Sequence, residues 1–167
     1  CFDTYKIGNC DECGLGIKKD TLDGVLIGDS FANHTAAFVD VLAKDAGLYF
    51  HDMAAGGYPL MSAIDDKTGK ALRDATYAEN RFHYAKKVNT IIIAANWERF
   101  QDKKSKGYRL TLEKISELLV LQKKVVVVDP LRSTNGAQLH KMKVYKTYEN
   151  TGITKNTLRI PFYKRKQ

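Results

Sequence analysis

At 167 residues, 44% apolar and 28% charged, the chain suits one soluble globular domain with its own core. No stretch approaches the roughly 18 consecutive apolar residues of a membrane-spanning helix. The net charge of +8 is uneven: residues 1–100 hold 11 Lys/Arg against 14 Asp/Glu, and residues 101–167 hold 16 against 5. A basic half can meet nucleic acid, an anionic membrane surface or an acidic polymer, or can be only a solvated surface. No aromatic-interleaved basic stripe or nucleic-acid motif supports the first, and nucleic acid is not an expected partner. The chain opens on Cys1 without a signal peptide and is read as a fragment or a processed product.

Residues 1–22 read as an irregular, crosslinked N-terminal arm. Its three cysteines are Cys1, Cys10 and Cys13, the last two forming C-x-x-C. A zinc site would want two more ligands at matching spacing, and a thioredoxin-like site would want a strand before the motif and a helix at it. The flanks, Gly8-Asn9 and Gly14-Leu15-Gly16, read instead as loop. A structural disulfide in an oxidising compartment is the favoured reading, with the odd cysteine free or paired outside the chain.

From residue 23 onward strands and helices alternate. Asp23–Ile27 is a short apolar strand broken at Gly28-Asp29-Ser30. Phe31–Ala46 is a helix with Ala36, Ala37, Val39, Leu42 and Ala43 on its apolar face, stopped by Gly47. Leu48–Met53 is a second strand, followed by a loop through Gly56-Gly57-Tyr58-Pro59. Lys70–Lys87 reads as helix, and Asn89–Ala95 as a buried strand ending at Asn96-Trp97. Gln101–Gly107 is a polar loop. Leu110–Leu121 is an amphipathic helix with Leu112, Ile115, Leu118 and Leu119 on one side, and Lys124–Val128 is a further buried strand. After Leu131 the pattern weakens, with Thr157–Tyr163 a candidate last strand or docking segment. This alternation predicts an α/β fold with a mostly parallel sheet. Ligands bind such sheets at the carboxyl ends of the strands, where the loops 28–31, 54–60 and 95–98 fall.

A serine at a sharp strand-to-helix turn holds its hydroxyl out at the sheet edge, and its N–H at the helix start can stabilise an oxyanion. Gly28 permits the turn and Asp29 favours the helix start. Taken alone, G-D-S is also what an ordinary helix cap looks like. Acyl transfer needs further donors, and the Gly57 N–H (or that of Gly56) and the Asn96 amide are suited to it, although each also reads as a turn or a cap. The three groups arrive in order after successive strands.

With those residues in view, V-L-I-G-D-S-F-A-N at 25–33 resembles block I of the SGNH/GDSL hydrolase superfamily. More narrowly, the chain resembles the periplasmic SGNH domain fused to membrane acyltransferase-3 proteins that modify bacterial surface polysaccharides. In that subgroup cysteines precede the serine motif. A G-C-P-P-like block follows the second strand, to which G-Y-P-L at 57–60 is similar, and A-A-N-W at 94–97 is similar to the subgroup's A-A-R-W. The resemblance covers roughly residues 10–130. It implies a three-layer α/β/α sandwich of SGNH or flavodoxin-like type over residues 23–167. It further implies Ser30 as nucleophile, the Ser30 N–H, Gly57 and Asn96 as oxyanion hole, and Asp29 as support for the turn. No cofactor belongs to the domain itself; an acetyl donor, in origin acetyl-CoA, would come through a fused or partner membrane domain. The acceptor would be a polysaccharide or lipid-linked glycan, the domain a monomer, and its place the periplasm or the extracytoplasmic face of a bacterial membrane.

Three departures stand out. Phe31 occupies a position where the subgroup often has His, and Tyr58 one where it often has Cys. The family's base, a histidine in a C-terminal D-x-x-H, has no counterpart: no D-x-x-H occurs in the 167 residues. Serine needs such a base, being a poor nucleophile at neutral pH. His34, His51 and His83 read as non-catalytic. So does His140, although it alone lies downstream and is the least unfavourable base of the four, with Ala137 three residues before it. The Asp–His segment is expected beyond Gln167. The leading expectation is an O-acyltransferase or acetyl-esterase working through acyl-Ser30. The alternative is a catalytically inactive SGNH-like module that binds glycan or a partner. A phosphate-binding domain using the Gly28–Ser30 helix start finds no G-x-G-x-x-G or P-loop to support it.

Overall fold

A computed structural model describes residues 11–55, 75–95, 106–129 and 143–145. A single 3-10 turn, Asp11–Cys13, leads into β1 (Gly14–Gly16). The order continues β2 (Gly24–Gly28), α1 (Ser30–Asp45), β3 (Tyr49–Ala54), α2 (Ala75–Ala85), β4 (Thr90–Ala94), α3 (Lys106–Val120), β5 (Lys124–Asp129) and β6 (Lys143–Tyr145). The described strands form one six-stranded sheet in the order β1-β3-β2-β4-β5-β6. The four inner strands are parallel, and β1 and β6 close the two edges antiparallel. This is the α/β architecture that the alternating pattern predicts.

The topology follows from chain direction. From β2 the chain steps outward through α1 to β3, then returns across β2 to β4 and steps the opposite way through α3 to β5. Right-handed crossovers taken in opposite directions put their helices on opposite faces of the sheet. The two core clusters match. Leu26, Ala32, Val39, Ala43, Phe50 and Ala54 pack on the α1 side. Val25, Ile27, Met53, Phe82, Ile91, Ile93, Leu118 and Val125 pack on the side of α2 and α3. Strands covered on both faces need no polar alternation, hence the unbroken apolar run at 91–95.

Cap chemistry sets the helix ends. α1 stops in a Schellman motif: Leu48 N–H donates to the Ala43 carbonyl at 2.7 Å, and Gly47 N–H to that of Lys44 at 3.2 Å. Gly47 supplies the left-handed φ of +65°. α3 ends with the same pair of bonds, from Lys123 to Leu118 at 3.0 Å and from Gln122 to Leu119 at 2.9 Å. Here the left-handed position belongs to Gln122, at φ 57°.

Several expectations change. Within residues 1–22, read as irregular, Gly14–Gly16 is a strand that pairs with β3; a three-residue segment with two glycines carries no periodicity by which to find it. β6 falls in the region of weak pattern and is equally short. Lys106 and Gly107, read as loop, open α3. On α1, Ala37 and Leu42 are exposed, and the buried positions are Ala32, Thr35, Val39 and Ala43. On α3, Ile115, Leu118 and Leu119 face the core as expected, whereas Leu112 is exposed and its neighbour Thr111 is buried in its place. The start of the 70–87 helix and the strand read at 157–163 lie outside the described residues.

The contrast between Leu118 and Leu112 gives a direct test. Leu118, fully buried, is expected to cost about 2–5 kcal/mol on truncation to Ala. Leu112→Ala is expected to stay within about 0.5 kcal/mol of the parent. Urea unfolding of the two variants checks both.

Candidate active site

The last residues of three adjacent strands lie side by side. Gly28 of β2 pairs with Ala54 of β3 on one side and Ala94 of β4 on the other. Because the chain goes from β2 to one neighbour, β3, and then crosses back to the other, β4, this is the switch point of the sheet, the edge at which ligands bind in folds of this kind. The segments after all three residues start from this edge.

Gly28 is fixed by crowding. A Cβ there would meet the Ala94 carbonyl oxygen and lie 2.8 Å from the Ala32 Cβ. β4 and the first turn of α1 therefore close on β2 only because this position has no side chain.

Asp29 turns the chain from strand to helix as the N-cap of α1. Its Oδ1 accepts the Phe31 N–H at 2.9 Å, and its carbonyl accepts the N–H groups of Ala32 at 3.0 Å and Asn33 at 3.4 Å. The residue is 5% exposed. Its carboxylate is engaged in the cap and the helix is wound tight against the strand end. Ser30 comes next, at the first helical position, and is exposed. At that position the residue four back, Leu26, lies in β2 and not in the helix, so the Ser30 N–H belongs to the donors that a helix start leaves without an intrahelical acceptor, at the positive end of the helix. His34, one turn on, is exposed and stacks edge-on against Phe31, ring centroids 6.1 Å apart.

Two buried ionisable groups under this edge escaped the reading of the sequence. Arg81 of α2 is fully buried, with Nη1 donating to the Met53 carbonyl at 3.0 Å and toward the Gly28 carbonyl at 3.3 Å. Its guanidinium lies 5.0 Å from the Tyr77 ring centre, a cation–π contact. A signal existed: Arg81 interrupts an apolar stripe of Tyr77, Ala78, Phe82 and Ala85, where a solvated arginine would not sit. Asp52 of β3, 7% exposed, faces Leu26 across the ladder and accepts the Ala54 N–H on its Oδ1 at 3.0 Å. Burial pushes its carboxyl above the ordinary range, against the pull of that amide.

The remaining histidines lie elsewhere. His51 is buried in β3, its Nδ1 3.4 Å from the Tyr84 hydroxyl, and His83 is exposed on α2. Gly57, Asn96 and His140, as well as Cys1 and Cys10, lie outside the described residues. Cys13 is buried. Among the described residues no three His, Cys, Asp or Glu side chains gather as a metal site would. Nor is any described helix long and apolar enough to cross a membrane.

A family model described as the SGNH domain (fused to AT3 domains) matches residues 1–165. The chain belongs to this SGNH family. The match takes in the N-terminal residues as well as the sheet, and it brings a hydrolase-like domain associated with acyltransferases. No curated protein and no solved structure matches the chain.

The Asp52 carboxyl gives a pH prediction. A raised pKa means that the folded state holds the proton more tightly than the unfolded chain, whose carboxyl titrates near pH ~3.9. Stability is then lost as pH rises through the window between the two values, and the loss persists above it. Asp52→Asn keeps an oxygen for the Ala54 N–H and has no charge to bury. It is expected to melt higher than the parent at pH 7, with the difference shrinking toward about pH 4. Thermal unfolding at both pH values checks this; a variant that melts lower at pH 7 would show a charge the fold requires.

Proposed function

We propose that this SGNH domain carries an acyl group, in the first instance acetyl, on Ser30 and passes it to a hydroxyl of a cell-surface glycan. The supporting observation is the placement of Ser30: exposed, first in α1, directly after a buried capping aspartate, at the switch point of a parallel sheet. In the first half-reaction the Ser30 hydroxyl oxygen bonds the acyl carbon of a donor ester or thioester, and the bond to the leaving group breaks. The proton from Ser30 passes through a base to the leaving group. In the second, an acceptor hydroxyl attacks the acyl-serine, its proton returns through the base to the serine oxygen, and the acyl-Ser30 bond breaks. Each half passes through an oxyanion, for which the Ser30 N–H, Gly57 and Asn96 are the proposed donors. The base is a histidine, His140 or one in a D-x-x-H pair beyond these residues. With water as acceptor the same steps make an acetyl-esterase.

Family membership supports a donor delivered by a fused membrane acyltransferase domain, since the family's own description names that fusion. An extracytoplasmic setting agrees with a crosslinked N-terminal arm, for which the three cysteines within the first 13 residues are the candidates. The basic balance of residues 101–167 suits an acidic glycan or an anionic membrane surface.

Hydrolysis of p-nitrophenyl acetate by the full-length protein tests the reading. Ser30→Ala is expected to abolish turnover while leaving the melting curve intact. Gly57→Val and Asn96→Ala are each expected to lower kcat by about 10- to 1000-fold, the range for one oxyanion donor. A folded parent whose turnover ignores Ser30 would favour a glycan- or partner-binding module.

A further inference from the structure

We propose that Arg81 is a positioning residue for the nucleophile turn, a role that rests on the acyl-Ser30 reading. Its Nη1 lies within reach of two carbonyls on neighbouring strands, Gly28 of β2 at 3.3 Å and Met53 of β3 at 3.0 Å. Gly28 stands two residues before Ser30 and is the last residue of its strand. Its carbonyl also accepts the N–H of Ala55 at 3.0 Å, the first residue beyond β3. One guanidinium thus ties the end of β2 to the end of β3 where the ladder between them finishes, and both strands leave the sheet in the next one or two residues.

The location argues for more than filling space. A fully buried cation is costly unless its geometry is used, and an apolar side chain of similar volume is often no less stable. Arg81 spans the α2 layer to reach the one carbonyl that orients the peptide leading into Asp29 and Ser30. A guanidinium offers its donors in a fixed plane, so it constrains direction as well as distance, which an ammonium on a flexible stem does not. Loss of that constraint leaves the Gly28–Asp29 peptide free to tilt. The Ser30 oxygen and N–H then shift relative to the rest of the crevice, and a displacement on the order of 1 Å costs about 100-fold in rate.

The test uses the full-length protein, p-nitrophenyl acetate, and the variants Arg81→Met and Arg81→Lys beside Ser30→Ala. For folded Arg81→Met, kcat is expected to fall roughly 10- to 100-fold, with KM within about threefold of the parent because the loss is in the transition state. Arg81→Lys, which keeps the charge and a donor without the plane, is expected to recover part of that loss and to remain below the parent. Wild-type kcat in either folded variant overturns the positioning role and leaves the Ser30 reading standing. If Arg81→Met does not fold, Arg81→Lys alone decides. Turnover by the parent that survives Ser30→Ala overturns the acyl-serine reading, and the role of Arg81 with it.

Discussion

At Gly28, β2, β4 and the first turn of α1 meet at a separation that no side chain permits. The Ala94 carbonyl and the Ala32 methyl occupy the space where a Cβ would be. From this contact the geometry of the edge follows. β2 can end level with β3 and β4 and turn within one residue, and α1 can begin directly beneath the strand ends. The turn is too short to leave any choice about which residue comes first in the helix. Ser30 is exposed there because Asp29 spends its carboxylate inward on the cap.

Around that contact lie three buried ionisable side chains, Asp29, Asp52 and Arg81. Asp52 and Arg81 bind backbone groups at the strand ends, the Ala54 N–H and the Gly28 and Met53 carbonyls, and Asp29 binds the Phe31 N–H in the first turn of α1. Backbone groups at the end of a parallel ladder lose their regular partners, and buried ones must find others. The polar residues of this edge meet that need while they fix the directions in which the chain departs. Groups held in place before a reaction need not reorganise during it, which is the general physical basis of electrostatic catalysis and what the proposed acyl transfer would draw on.

Much of this could be read from the sequence because local signals agreed with the global fold. The strand at Thr90–Ala94 was plain from its isoleucines, and α1 from its start at Gly28-Asp29-Ser30 and its stop at Gly47. The end of α3 had no glycine to announce it, since Gln122 takes the left-handed position. The buried faces of α1 and α3 were misjudged at Leu42 and Leu112 because an apolar residue at the rim of a stripe has the same letter whether or not a strand lies beneath it. Gly14–Gly16 and Lys143–Tyr145 are too short to show a period. Ser30 is legible as a motif; Arg81 shows only as an arginine within an apolar stripe, because the two carbonyls it binds lie 53 and 28 residues away in the chain.

The proposed acyl transfer stands or falls on whether Ser30 is an activated nucleophile. Its most direct test is to treat the full-length protein with a serine-reactive organophosphonate and to locate the adduct by mass spectrometry. A single phosphonylated residue, Ser30, is expected in the folded protein and none after denaturation. A folded protein in which Ser30 stays unlabelled, or in which the label falls on another residue, would contradict it.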